Sequence, residues 1–211
     1  MKKQMFLLIF GILLSNILNA QNNNASKKNS SSNAFNVQKK TSKNILIDKR
    51  DKHKYKIKEI NNQIWMTENL DFANYNSYCY NNNIENCKLF GRLYTWTSAQ
   101  SACPEGWRLP SKSDFEDLLK FISPNNNWNR VEALSGGSSG FDIKYCGMCD
   151  VDQMGRIACW DAGESFYLWT STSNGSREAY FMGGSSKTND MIDFAPYTTD
   201  GYTFSVRCIK R

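Results

Sequence analysis

Hydrophobic and charged residues alternate over residues 54–58, whose sequence is KYKIK. A period of two is typical of a β-strand that turns one side to the core and the other to water. With the apolar run Ile45–Ile47 before it, this pattern predicts two short strands joined by the charged turn Asp48–Lys54. The next stretch, Gln63–Leu70, predicts a third strand or a continuation of the second, with Trp65 in the core.

Residues 111–122 change to a helical period. Their apolar side chains fall at positions i, i+3, i+4 and i+7, namely Phe115, Leu118, Leu119 and Ile122,. Ser113 and Glu116 match a capping box, and Pro124 with the asparagines after it ends the pattern,. A shorter helix is expected over Thr97–Ala102.

Further short apolar segments are separated by glycine, asparagine and serine, which favour turns. They predict strands at Leu89–Trp96, Phe141–Tyr145, Phe166–Thr170, Ala179–Met182, Met191–Phe194 and Tyr202–Ile209. Two short helices with many short antiparallel strands and long loops indicate an α+β domain.

The N-terminus has the composition of a secretory signal peptide over residues 1–20. Two lysines precede the apolar core Met5–Leu14, which is too short to span a bilayer, and Ala20 offers a small residue for cleavage,. Residues 21–44 are rich in Asn, Ser and Lys, which predicts a disordered linker,. Residues 45–211 then form one domain. Because no cysteine precedes Cys79 to accept a lipid, we expect a soluble exported protein without a transmembrane anchor.

The formal net charge of +6 comes from these N-terminal segments. Lys2, Lys3 and the five lysines of the linker account for it, and the rest of the chain has 19 basic and 20 acidic residues. A nearly neutral domain lacks the basic surface that nucleic-acid binding requires. We therefore expect no nucleic-acid partner.

All seven cysteines lie in the predicted domain, and export makes disulfides their expected state,. Cys79 and Cys87 flank a short stretch rich in Asn and Tyr, which a disulfide would close into a loop. The odd count leaves one thiol that is free or that pairs with a second chain to give a disulfide-linked dimer.

Several blocks resemble one family, the Fibrobacter succinogenes major paralogous domain, which is common in secreted proteins of Bacteroidetes and Fibrobacteres. These blocks are Trp65–Leu70, Gly91–Trp96, Cys103–Pro110, the modified Leu168–Thr172 and the closing Ser205–Cys208. The resemblance covers about residues 47–210. It implies a C-type-lectin-like fold, distantly similar to formylglycine-generating enzyme domains, and a disulfide between Cys103 and Cys208. Cys146, Cys149 and Cys159 then supply one more pair and the spare thiol.

Few residues are candidates for catalysis. His53, the only histidine, lies in a charged turn, where an imidazole oriented for catalysis is not expected, so we expect no catalytic residue,. The sharpest chemical candidate is the Cys146-x-x-Cys149 pair with Cys159 nearby, since such cysteines can cycle redox state or hold copper or zinc. The alternative is a structural disulfide, either Cys149–Cys159 or Cys146–Cys159.

Residues 150–161 have the acidic spacing of a calcium loop. Asp150, Asp152 and Asp161 occupy positions 1, 3 and 12 of that pattern, and Gly155 occupies position 6,. Met154 stands where another oxygen ligand is required, so a tight turn is the favoured interpretation. We expect no cofactor, with calcium at these three aspartates as the alternative.

Aromatic residues in the predicted loops, together with Tyr202 at the start of a predicted strand, are the candidates for ligand binding, because loops on a rigid scaffold usually carry function. They are Tyr78, Tyr80, Trp128, Tyr197 and Tyr202. The tryptophans in the family blocks are assigned to the core instead, since large aromatic side chains dominate burial in such domains.

The sequence as a whole favours an exported, non-catalytic recognition or cell-surface structural domain whose partner is a glycan or an envelope protein. The location is extracellular, on the cell surface or in the periplasm. One alternative is a thiol- or metal-dependent oxidoreductase that uses Cys146, Cys149 and Cys159. Another is an assembly subunit linked through the odd cysteine.

Overall fold

A computed structural model describes residues 44–123, 133–135, 139–187 and 192–211. Within these ranges the chain forms two β-sheets and three α-helices, so the predicted α+β class is confirmed. The predicted signal peptide, nearly all of the predicted linker, and Trp128 lie outside the described residues. No described helix is long and apolar enough to cross a membrane.

The smaller sheet is antiparallel and has five strands within the described ranges, in the order β1-β2-β3-β13-β6. Its strands are β1 (Ile45–Ile47), β2 (Lys54–Ile60), β3 (Gln63–Met66), β6 (Trp107–Arg108) and β13 (Ile209–Lys210). Ile209 lies opposite both Trp65 and Arg108, so the C-terminus closes this sheet between β3 and β6. The strands predicted from the alternating N-terminal pattern are confirmed.

The larger sheet has eight strands within the described ranges, and its main path is β11-β10-β9-β12-β5-β4. β7 pairs with β12, and β8 pairs with β7. The strands are β4 (Ser77–Tyr78), β5 (Leu93–Thr95), β7 (Cys146–Val151), β8 (Ile157–Ala162), β9 (Ser165–Ser173), β10 (Glu178–Ser185), β11 (Ile192–Thr198) and β12 (Tyr202–Ser205). The β9–β12 contact is parallel, and the other pairings are antiparallel.

The helices are α1 (Ile84–Phe90), α2 (Trp96–Ala102) and α3 (Lys112–Ile122), and each begins after a side-chain cap. The predictions over Thr97–Ala102 and 111–122 are confirmed, but the predicted capping box is wrong. Ser111, which has extended backbone geometry, is the N-cap, and its reciprocal partner is Asp114. Ser113 already lies in the first helical turn and therefore cannot act as the cap.

Three predicted strands have different bounds. Residues 89–90 end α1, so the strand predicted at Leu89–Trp96 shortens to β5. The predicted strand Phe141–Tyr145 is irregular, because Asp142 has a left-handed backbone conformation with φ of 52° and the ladder begins only at Cys146. The predicted strand Tyr202–Ile209 is split, because the chain leaves the larger sheet after Ser205 and joins the smaller one at Ile209.

Two hydrophobic clusters hold the described residues together. One lies under α3, where Phe115, Leu118 and Leu119 pack with side chains of both sheets, including Trp65 and Phe166. The other packs α2 and the segment Trp107–Leu109 against Tyr55, Tyr94, Trp169 and Phe204. The larger sheet therefore separates two packed regions, and the direction of each side chain on β9 and β10 decides which region it joins.

Candidate functional site: an aromatic face of the larger sheet

Successive residues of a strand point to opposite sides of the sheet, and β9 and β10 show this clearly. Phe166, Leu168 and Met182 join the cluster under α3. Tyr167 and Phe181 point the other way and pack with the second cluster. On that second side nothing in the described chain covers them fully, and both remain half-buried.

The aromatic face, as we call this side, consists of Tyr167, Phe181, Tyr197 and Tyr202, with the buried rings of Trp169 and Phe204 beneath them. The ring centroids of Tyr167 and Phe181 lie 5.7 Å apart, and each lies 5.2 Å from the ring centroid of Phe204. Tyr197 and Tyr202 meet edge to face at 4.7 Å. Contacts of this kind fix the rings before any ligand arrives.

A groove of about 470 Å³ runs along one end of the aromatic face. Its lining includes the rings of Tyr167 and Phe181, the backbone of Gly183, and the polar side chains of Ser165, Ser185 and Asp193. Gly183 is required here for space, because a Cβ at this position would lie 2.6 Å from Cε2 of Phe181. The absent side chain lets the Phe181 ring lie across the strand and leaves the groove open.

Carboxylates lie beside these rings. The hydroxyl of Tyr167 donates to Oδ2 of Asp161 at 2.9 Å, and Asp161 holds a left-handed backbone conformation with φ of 67°. Burial and the hydrogen bond to Asp161 raise the pKa of Tyr167. Burial, Tyr202 and Asp150 raise the pKa of Tyr197. Both phenols therefore stay neutral near pH 7 and keep their O–H donors.

Four of the five aromatic residues proposed from the sequence lie in the described ranges, and the structure brings two of these four together. Tyr197 and Tyr202 belong to the aromatic face. Tyr78 lies in β4, the strand at the opposite edge of the larger sheet, and Tyr80 begins a 3₁₀ turn. Tyr167 and Phe181 were missed because they lie inside predicted strands rather than in loops. The signal that could have found Tyr167 is the run of apolar residues in β9, which places large side chains on both sides of that strand.

The seven cysteines form three disulfides and leave one free thiol, and all of them lie within the described ranges. The bridges are Cys79–Cys87, Cys103–Cys208 and Cys149–Cys159. Of the two structural pairings left open for Cys159, the one with Cys149 is present. The three bridges are consistent with an exported protein.

The remaining thiol, Cys146, is 1% exposed. Its Sγ accepts from Nδ2 of Asn69 at 3.0 Å and contacts the carbonyl oxygen of Lys144 at 3.1 Å. Burial raises the pKa of Cys146, which disfavours the nucleophilic thiolate,. A bridge from Cys146 to a second chain would first require β7 to open locally, so this position is poorly placed for the assembly role considered from the sequence.

The aspartates of the predicted calcium loop act separately in the β7–β8 hairpin. Asp152 accepts hydrogen bonds from the backbone N–H groups of Met154 and Arg156. It also forms an ion pair with the Arg156 side chain, with 2.6 Å between Oδ2 and Nε. Asp161 binds Tyr167, and Asp150 lies opposite Ala158. Among the described residues no three His, Cys, Asp or Glu side chains converge on a metal position. Calcium binding by Asp150, Asp152 and Asp161 stays a prediction, and the geometry of the described residues does not add support for it.

His53 is exposed and stacks on Tyr55 with a centroid distance of 4.4 Å. Neither His53 nor Cys146 lines the groove beside the aromatic face. The groove therefore offers rings, hydroxyls and a carboxylate, which are groups suited to holding a ligand.

Comparison with known proteins identifies the family. No curated protein and no solved structure matches the chain. The family model of the Fibrobacter succinogenes major domain matches residues 59–210. Since this match spans well over half of the chain, the protein belongs to the Fibrobacter succinogenes major domain family.

Proposed function

We propose that the protein is an exported, non-catalytic recognition domain that binds a polysaccharide on its aromatic face. The observation that carries the proposal is the groove of about 470 Å³, in which half-buried aromatic rings stand beside hydrogen-bonding side chains. The scaffold we propose is C-type-lectin-like. The Cys103–Cys208 bridge, which ties the end of α2 to the last segment of the chain, supports that architecture.

Sugar rings have two kinds of surface, and the aromatic face offers a partner for each. The C–H groups on one side of a pyranose are weakly positive and apolar, so they stack on the negative face of an aromatic ring. The hydroxyls at the ring edge require donors and acceptors, which Ser165, Ser185 and Asp193 provide along the groove,. Because ring contacts already fix Tyr167 and Phe181, little side-chain entropy is lost on binding,.

The groups that a thiol-dependent enzyme would use lie elsewhere. Cys149 is consumed in a disulfide with Cys159, and Cys146 is buried beside Asn69. His53, the only histidine of the sequence, lies in the turn between β1 and β2 in the smaller sheet. These placements favour binding over thiol chemistry at the groove.

The test is a binding assay on the mature chain, purified after export so that its disulfides are formed. Affinity electrophoresis against a panel of soluble polysaccharides identifies a ligand, and calorimetry then gives its Kd. Phe181→Ala should weaken binding by about tenfold or more, corresponding to roughly 1.4 kcal/mol or more. Tyr167→Phe keeps the ring and should weaken binding less, through the lost hydroxyl alone.

Tyr75→Ala is the matched control. Tyr75 is an exposed aromatic residue, at 87%, next to β4 on the opposite edge of the larger sheet. Its removal should leave Kd unchanged. Thermal melts must show that the Phe181→Ala variant is folded at the assay temperature. Failure of every polysaccharide to bind, or equal affinity of the Phe181→Ala and Tyr75→Ala variants, would overturn the proposal.

A further inference from the structure

We infer that the aromatic face selects glycans without acidic groups and rejects polysaccharides that carry carboxylates or sulfates. This inference rests on the proposed function, because it specifies the ligand class of the same groove. It is carried by the placement of carboxylates and of basic side chains around the rings.

Three carboxylates lie along the aromatic face. Asp193 is exposed and lines the groove itself. Asp161 lies at hydrogen-bonding distance from the hydroxyl of Tyr167. Asp150 lies opposite Tyr202 in the ladder between β7 and β12, and its charge acts on Tyr197. A sugar stacked on these rings therefore has negative charge on more than one side.

Basic side chains do not balance this charge. The described lining of the groove includes no Lys or Arg. At one end of the face Lys187 pairs with Glu164, and at the other Arg177 pairs with Asp200 at 2.7 Å. Lys112, whose Nζ lies 4.5 Å from the centroid of Tyr180, belongs to α3 on the opposite side of the sheet. These three cations are thus paired with carboxylates or lie on the far side of the sheet.

A neutral glycan can use these carboxylates as hydrogen-bond acceptors, whereas an acidic one is repelled by them. Carboxylate oxygens accept readily from sugar hydroxyls. A carboxylate of the glycan about 6 Å from one of the protein is repelled by it. With an effective dielectric constant between those of water and the protein surface, this repulsion lowers the affinity by about tenfold. Salt screens such a contact, because the Debye length falls to about 3 Å at 1 M ionic strength.

The experiment compares neutral polymers with their own oxidised forms. Starch, a β-1,4-linked mannan and a soluble β-1,3-glucan, whose C6 hydroxyls are free, are each assayed before and after oxidation of C6 to a carboxylate, at low salt and in 1 M NaCl. The parent polymer that binds should lose about tenfold or more in affinity on oxidation at low salt, and high salt should recover part of that loss. Sulfation of the same polymer should act in the same direction.

Asp193→Asn tests the origin of the discrimination. The variant keeps a hydrogen-bonding side chain and removes the charge, so the ratio of neutral to oxidised affinity should narrow. Asp117→Asn is the control, because Asp117 is an exposed carboxylate on α3, paired with Lys120 at 3.3 Å. Its ratio should equal that of the unmodified protein.

The outcomes separate this inference from the proposed function. Acidic polymers that bind as tightly as their neutral parents, or an unchanged ratio in Asp193→Asn, overturn the inference and leave polysaccharide binding standing. If neither the neutral nor the acidic series binds, the proposed function fails and the inference fails with it.

Discussion

The disulfide between Cys103 and Cys208 should contribute more stability than either of the other two bridges. It joins residues 105 apart, whereas Cys79–Cys87 and Cys149–Cys159 join residues 8 and 10 apart. In the chain-entropy model, a crosslink stabilises by restricting the unfolded chain, and the effect grows with the logarithm of loop length. For these loops the model gives about 4.8 kcal/mol for the long bridge, about 2.5 kcal/mol for Cys79–Cys87 and about 2.7 kcal/mol for Cys149–Cys159.

Three paired variants test this order, and in each both cysteines of one bridge are replaced by alanine. Urea unfolding followed by tryptophan fluorescence provides the assay, since Trp65 and Trp169 are buried and report loss of the core. The Cys103→Ala, Cys208→Ala variant should lose about 2 kcal/mol more free energy of unfolding than either other pair. Non-reducing peptide mapping must first confirm that the remaining bridges are intact.

Cys146→Ala is the control for lost packing. Cys146 is as buried as Cys208 but forms no crosslink, so the variant removes a buried sulfur and leaves all three bridges, and hence the restriction of the unfolded chain, unchanged. We expect it to cost about 1 kcal/mol. Equal losses in the three paired variants would refute the loop-length argument. A loss in Cys146→Ala as large as that in the Cys103–Cys208 variant would assign the effect to packing.

Three further predictions concern single positions. Gly183→Ala should destabilise the fold by about 1–3 kcal/mol in urea and weaken glycan binding, since its Cβ displaces the Phe181 ring; unchanged values would contradict this,. Burial raises the pKa of Asp114, but hydrogen bonds from Arg108 and Ser111 outweigh it and lower the pKa to about 2. The stability from this lowered pKa is complete above about pH 4 and is lost as pH falls towards 2, by up to about 2 kcal/mol. Asp114→Asn should remove that part of the pH dependence of unfolding. Cys146 should resist alkylation in the native protein and react only in denaturant, whereas rapid native labelling would show that the site is open.

The sequence correctly predicted those elements that bury one side, because the spacing of their apolar residues then shows whether they are strands or helices. The KYKIK alternation of β2 and the helical spacing of α3 each reflect one buried side, so both could be located from local residues. The irregular path of residues 141–145 could not. The guanidinium of Arg207 donates to the carbonyl oxygens of Phe141 and Asp142, and these contacts join residues more than 60 positions apart. Local composition carries no record of such a partner.

The β7–β8 hairpin shows how one signal can serve two structures. Calcium loops and tight turns both use Asp and Gly at close spacing, because both need side-chain oxygens and a residue that tolerates positive φ. Here Gly155 has φ of 78°, and Asp152 satisfies the N–H groups of the turn. The spacing therefore located the turn without identifying which chemistry its oxygens perform.

The residues of the candidate site could be located from the sequence only in part, for a related reason. Apolar residues on both sides of β9 indicate a strand covered on both faces, as in a fully buried sheet. In the structure the rings of Tyr167 and Phe181 both pack on Phe204 and both stay partly exposed. Whether a ring is fully covered depends on which segments pass over it, and the order of strands that decides this is not encoded locally.

The short blocks that carry the family resemblance serve the scaffold, and the residues that line the groove lie outside them. Asn69 accepts from Arg207 at 2.8 Å and donates to the carbonyl oxygen of Phe90 at 2.8 Å. Arg108 is held by Asp114, and Cys208 by Cys103. Each of these contacts is buried or partly buried and joins one matched block to another part of the chain. The groove's rings, Tyr167 and Phe181, and its carboxylate, Asp193, come instead from β9, β10 and β11. Under the proposed function, an exposed position such as Asp193 can therefore change ligand preference while these scaffold contacts stay in place.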